Sequence, residues 1–145
     1  MNYSIATRLA AEFFGTAIMI ILGNGSVADV ELKGTKGTKS GWITISVGYG
    51  FAVMIPALMF GSVSGNHINP AFTLGLAFAG AFPWHEVLPY IAAQLIGAAV
   101  GQLVVWICFK PHYDMTENSD AILGTFSTSD ATGNKLNGFV YEFFG

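Results

Sequence analysis

Ser64-Gly65-Asn66-His67-Ile68-Asn69-Pro70-Ala71-Phe72-Thr73 is the stretch on which the fold of this chain turns. Asparagine is a favoured helix N-cap, because its side-chain oxygen accepts from a backbone N–H of the first turn. Proline is tolerated at the first helical position, where its missing N–H costs nothing. Asn69-Pro70 therefore marks an abrupt helix start. The apolar run that follows, Pro70 to Phe82, has 13 residues and reaches about 20 Å at most, short of a ~30 Å hydrocarbon core. Upstream, Gly61-Ser62-Val63-Ser64-Gly65-Asn66-His67 is rich in glycine and serine and reads as non-helical backbone. Irregular backbone at membrane depth is tolerated only where it is buried in protein or lines a watery cavity. The pattern predicts a re-entrant loop and half-helix over 61–82 that enters the membrane part-way, beside a pore.

The rest of the chain supplies the membrane. Of its 145 residues 52% are hydrophobic and 10% charged, with a mean hydropathy of +0.54, against about 25% charged in a soluble domain. There is no Asp, Glu, Lys or Arg from Gly41 to His85, nor from Val87 to Phe109. Three spans follow, at about 7–28, 41–60 and 87–109, each near the 20 residues a bilayer requires. The first is too long for a signal peptide, and it contains Glu12. Residues 110–137 form a long polar extramembrane loop carrying Asp114, Glu117, Asp120 and Asp130, and 138–145 begin a fourth span. The net charge of −3 and the lack of a basic patch oppose nucleic-acid binding. Cys108, the single cysteine, sits in an apolar run and reads as a buried, inert thiol. Gly97 and Gly101 form a small-xxx-small pair suited to close helix packing.

Ala11-Glu12-Phe13-Phe14-Gly15 recurs 130 positions later as Tyr141-Glu142-Phe143-Phe144-Gly145. Both copies place a glutamate at the start of an apolar segment. Three crossings between them reverse the direction of entry, which describes an inverted repeat of the kind found in transport proteins. The second copy breaks off at Gly145.

Several residues could carry chemistry. Asn69, with its oxygen used as a cap, keeps two amide donors at the positive end of a helix dipole. A water or polyol hydroxyl can accept from them, while that end repels cations. If the backbone is extended, the carbonyls of Gly65, Asn66, His67 and Ile68 offer a ladder of acceptors in place of a solute's hydration shell. Glu12 is an ionisable residue inside a span and must find partners. The N–H groups of a re-entrant loop suit it better than a proton relay through His67. Tyr49 either narrows a pore or joins Trp42 and Trp84 in an interfacial belt. Gln94 needs partners in lipid and is expected to face the bundle. The histidines, His67, His85 and His112, are scattered, and no nucleophile elbow, phosphate loop or metal-ligand spacing occurs. No catalytic arrangement stands out, and no metal site is expected. Lys33, Lys36 and Lys39 would on charge alone place the first loop in the cytoplasm.

The decamer from Ser64 to Thr73 resembles the first signature of the major intrinsic protein family, SGxHxNPAxT. Ala11-Glu12-Phe13-Phe14-Gly15-Thr16, Gly23-Asn24-Gly25, Tyr90 with Gln94, and Gly97-Ala98-Ala99 are further matching residues in order. Leu123-Gly124-Thr125-Phe126-Ser127-Thr128 is similar to the glycerol uptake facilitators within that family. The resemblance implies an all-α membrane protein with the aquaporin-like right-handed helix bundle. The chain, a single partial domain over 1–145, would be its first inverted repeat, three spans plus one re-entrant half-helix, and the start of the fourth span. It implies a channel and not an enzyme, with passive diffusion of glycerol, other small uncharged polyols and water, with no cofactor, through a homotetramer in the plasma membrane bilayer. It also implies a cytoplasmic N-terminus, against the lysine count. Asn69, Pro70, Ala71, Gly65, Asn66, His67 and Ile68 would line the path, and Tyr49, twenty positions before Asn69, would be the filter aromatic. Glu12 and Gln94 would brace the loop, with Glu142 their counterpart in the second repeat. Tyrosine at 49 is neither the phenylalanine usual in water-selective members nor the tryptophan of many glycerol facilitators. Asn66 and Phe72 also depart from the usual small residue and valine. A second NPA motif and its arginine are absent from these 145 residues, so this stretch alone is expected to form half a pore. The alternatives are a water-selective aquaporin, a truncated non-conducting membrane subunit, and a small membrane enzyme using Glu12 and His67.

Overall fold

The structure, a computed structural model, describes residues 3–128 and 132–144. Asp130 of the long loop and Gly145 of the second repeat copy lie outside the described residues. The described chain is helical, with no strand: α1 Ile5–Glu31, α2 Trp42–Ser64, α3 Pro70–Phe78, α4 Trp84–Cys108, α5 Lys110–Met115, α6 Ser119–Gly124 and α7 Lys135–Phe144. Three of these, α1, α2 and α4, are long and apolar enough to cross a membrane. Their 27, 23 and 25 residues correspond to about 40, 35 and 37 Å at 1.5 Å per residue. The nine residues of α3 reach only about 14 Å. The protein is an integral membrane protein of the all-α class.

The helix ends differ from the sequence expectation where local capping or pairing prevails. The expected non-helical stretch begins at Gly61, but α2 continues to Ser64, and only residues 65–69 are non-helical. Gly65 ends α2 in the left-handed conformation (φ 88°), its N–H donating to the Gly61 carbonyl. A glycine inside a helix costs only about 1 kcal/mol, so Gly61 does not break it. At the other end, α3 stops at Phe78 rather than Phe82. Gly80 (φ 73°) permits a reversal in which Ala81 N donates to Leu76 O (2.9 Å) and Gly80 N to Ala77 O (3.1 Å), the paired bonds of a Schellman motif. The third span starts at Trp84 instead of Val87, taking in Glu86, whose charge is matched by Arg8. Within the expected loop 110–137, α5 and α6 form, and α7 begins at Lys135 under the Asn134 side chain, which accepts from Leu136 N (3.1 Å). Cys108 is exposed, not buried. It lies outside the stripe of Gln94, Gly97, Gly101 and Val105 that α4 buries.

The first helix is the centre of the bundle, packed by α2 and α4, while α3 lies on α4. A Cβ at Gly97 would stand 3.1 Å from Phe13 Cα, and one at Gly101 2.6 Å from Ala17 O. The two glycines thus let the α1 and α4 backbones touch. Ala77, Phe82, Val87 and Tyr90 form the core between α3 and α4. Ala28, Leu32, Val105 and Tyr113, with Phe109 and Ile122, pack the loop helices under the ends of α1 and α4. The polarity is that of a membrane bundle. Glu12, Ser64, Thr73 and Gln94 are at most 1% exposed, whereas Leu58 is 78% and Ile43 80% exposed.

Candidate pore-lining site

The site is organised by one carboxylate. Oε1 of Glu12 accepts from Ser64 Oγ (2.6 Å) and His67 N (2.9 Å). Oε2 accepts from Ile68 N (2.8 Å) and Gln94 Nε2 (2.8 Å). A carboxylate offers about four lone-pair positions, and all four are filled without a cation. Hydrogen bonds to a charged group are the strong kind, and here they replace the water that α1 excludes. A proton relay through Glu12 would first have to break one of them.

These bonds also set the loop's direction. Gly65, Asn66 and Ile68 have φ of 88°, 49° and 42°, a left-handed region that costs non-glycine residues on the order of 1 kcal/mol each. In a trans peptide the C=O points opposite to the following N–H, and the described chain has no cis peptide. His67 N and Ile68 N face Glu12, so the carbonyls of Asn66 and His67 face away from it. Asn66 N donates to Ser64 Oγ (3.0 Å), which turns the Gly65 carbonyl away from that hydroxyl in the same manner. Three of the four sequence-selected carbonyls are thereby oriented. Among the described residues no such bond holds the Ile68–Asn69 peptide. The Asn66 side chain reaches α2: with its amide oriented to satisfy both ends, it donates to Pro56 O (3.1 Å) and accepts from Ala57 N (3.3 Å).

Asn69 is exposed and extended (φ −152°, ψ 122°), and its Oδ1 accepts from Ala71 N (2.8 Å) and Phe72 N (3.4 Å). The cap thus uses the oxygen and not the NH₂. Pro70 and Ala71 make the first turn of α3. Behind them, Thr73 Oγ1 donates to Asn69 O (3.1 Å) and accepts from Gln94 Nε2 (3.0 Å). A hydroxyl has one proton, so the 3.1 Å contact between Thr73 Oγ1 and His67 Nδ1 is a bond from an Nδ1–H. The His67 ring is buried against Phe82 and Tyr90, with centroids at 4.8 and 5.1 Å.

Two selected residues lie apart from this cluster. Tyr49 is half-buried on α2, and its hydroxyl donates to Asn24 Oδ1 on α1. Glu142 is exposed on α7, a helix none of whose residues is buried. The structure also gives roles to residues for which the sequence offers none. Ser64 bridges Glu12 to the loop, and Tyr90 Oη donates to Ser64 O (3.1 Å). Their signal was their polarity in apolar runs, with Tyr90 one helical turn before Gln94. Arg8 and Glu86 form a two-point ion pair at 2.5 and 2.6 Å that ties the start of α1 to the start of α4. Each is an isolated charge at the edge of an apolar segment.

Residues 2–145 match the family described as Major intrinsic protein. The chain belongs to the major intrinsic protein family. Within the family it is 50% identical to glycerol uptake facilitator protein-like 5 of Lactiplantibacillus plantarum, over all of this chain and 60% of that protein. It is 49% identical to a glycerol facilitator-aquaporin of Lactococcus lactis subsp. cremoris, again over the whole chain and 53% of that protein. The solved aquaglyceroporin from Plasmodium falciparum superposes with a TM-score of 0.70 at 30% identity, over 77% of this chain and 45% of that one. This major intrinsic protein chain thus spans little more than half the length of the curated relatives it matches.

Proposed function

We propose that this chain forms the first half of a passive channel for glycerol and other small uncharged polyols, with water permeating the same path. The observation that carries the reading is the loop braced by Glu12. It turns the carbonyls of Asn66 and His67 away from Glu12 and that of Gly65 away from the Ser64 hydroxyl, in the segment that leads to the Asn69 cap. A polyol hydroxyl both donates and accepts. It would donate to the carbonyls and accept from the Asn69 NH₂, exchanging its hydration for protein bonds at little net cost. Cations would not, because the α3 dipole opposes them at Asn69. Permeation needs no cofactor and no chemical step, so the reading is of a channel and not an enzyme.

In this reading the half-helix enters from the cytoplasmic side of the plasma membrane, the N-terminus is cytoplasmic, and the Lys33 loop is outside. Tyr49 stands at the filter, Glu12, Gln94 and the Glu142 counterpart are supports, and complete subunits assemble as a homotetramer with one pore each. The glycerol-named relatives at about half identity support the polyol preference. The test is stopped-flow light scattering of proteoliposomes holding the complete channel. Glycerol should enter far faster than into empty vesicles, in either direction according to its gradient. Flux no faster than through bare lipid would overturn the reading. Residues 1–145 alone should show no selective flux.

A further inference from the structure

A second polar network crosses the bundle, separate from Glu12. The Tyr49 hydroxyl on α2 donates to Asn24 Oδ1 on α1, and Asn24 Nδ2 donates to Gln102 Oε1 on α4 at 2.6 Å. Asn24 is 6% exposed. Gln102 Nε2 is buried without a hydrogen-bond partner. One line of hydrogen bonds therefore runs from Tyr49 on α2 through Asn24 on α1 to Gln102 on α4. The ring of Tyr49 is placed as closely as its hydroxyl. A Cβ at Gly23 would stand 2.6 Å from Tyr49 Cε1, so the ring lies directly on the bare backbone of α1. It also packs on the cluster of Val27, Val30 and Ile45.

We infer that Asn24, clamped by Gln102, is a positioning residue that sets the solute preference of the pore by holding the Tyr49 ring against α1. The inference rests on the reading of Tyr49 as the filter aromatic. A phenol has one proton, and Asn24 takes it. The hydroxyl can then only accept from a passing solute, and the ring cannot swing into the space beside it. Gln102 Oε1 occupies the other end of the Asn24 amide, so Asn24 turning alone to offer its NH₂ to Tyr49 would set two amide oxygens against each other. With the bond removed, the ring gains the rotamers that project away from α1, and these narrow the path for a polyol more than for water.

The test is the ratio of glycerol to water permeability in proteoliposomes of the complete channel, a ratio independent of how much protein is folded. Asn24→Leu and Tyr49→Phe each lower the ratio about fivefold, the population shift that one net hydrogen bond supports. The double variant lowers it no further than either single change, and Gln102→Leu shifts it in the same direction. A ratio unchanged by Asn24→Leu or by Gln102→Leu overturns the inference. So does a double variant whose effect is the product of the two singles, or an equal fall in both permeabilities, which marks a purely structural role. Tyr49→Ala separates the two readings. If it alters the ratio while Asn24→Leu does not, the filter reading stands and the positioning role fails. If Tyr49→Ala leaves the ratio unchanged, the filter reading itself fails.

Discussion

The carboxylate of Glu12 and the amide of Ile68, 56 positions apart in the chain, meet at 2.8 Å. That bond holds a β-branched residue at φ 42°, a conformation it would not adopt unaided. The strain in the loop is thus offset by a group on another helix, and the loop's shape depends on α1 being in register with it. Glu12→Gln should expose this dependence. An amide presents a donor where the carboxylate presented an oxygen, so two facing donors would be left unsatisfied. Each buried unsatisfied group costs about 1–3 kcal/mol. We expect a lower unfolding temperature in detergent and loss of glycerol flux. An unchanged melting curve would show that the loop holds its shape without Glu12.

Arg8 and Glu86 make a second long-range tie, with side chains 9% and 13% exposed. Removing one partner of a buried ion pair typically costs about 3–5 kcal/mol, because the other charge is left stranded, whereas replacing both is far milder. Arg8→Met and Glu86→Met should each destabilise strongly, and the double variant should recover most of the loss. Thermal unfolding of the four proteins in one detergent measures the coupling. Simple additivity would show that the two ends of α1 and α4 are held by other contacts.

The contact between α1 and α4 rests on absent side chains. A Cβ at Gly97 or Gly101 would meet the backbone of Phe13 or Ala17, which cannot rotate aside. Gly97→Ala and Gly101→Ala should separate the helices and cost on the order of 2 kcal/mol. A Cβ at Gly25 or Gly50 meets nothing within 4 Å. Alanine there should be neutral or stabilise slightly, by less than about 1 kcal/mol, through its better helix propensity. Comparable losses at all four positions would contradict this account.

Gly65 is required for a different reason. Its φ is 88°, and a Cβ there would lie 3.2 Å from His67 Nε2. Gly65→Asn should cost least, since asparagine tolerates the left-handed region. Gly65→Val should cost several times more, because β-branching opposes it. The order of melting temperatures, glycine above asparagine above valine, is the readout.

Much of this molecule is legible before folding is considered. Long apolar runs mark the three spans, and Asn69-Pro70 marks the start of α3, because hydropathy and capping depend on neighbours in sequence. The ends were less legible. Gly61 suggested a break in α2 that Gly65 supplies four residues later, since only backbone conformation distinguishes a tolerated glycine from a capping one. Gly80 ended α3 before the apolar run did. Among the site residues, Glu12 and Gln94 stood out as polar groups in lipid, but Ser64, Asn24 and Gln102 did not. Their importance comes from what lies across from them.

The residues themselves decide that the chain enters a membrane, where its half-helix begins, and that Glu12 needs partners, because transfer free energies and caps are local quantities. They do not decide which partners. Glu12 meets Ser64 and Gln94 at separations of 52 and 82 positions, and Arg8 finds Glu86 at 78. Those choices follow from the register of α1 against α2 and α4, and the backbone contacts at Gly97 and Gly101 set the α4 side of that register. One helical turn of slip there would carry every one of these groups past its partner by about 5.4 Å.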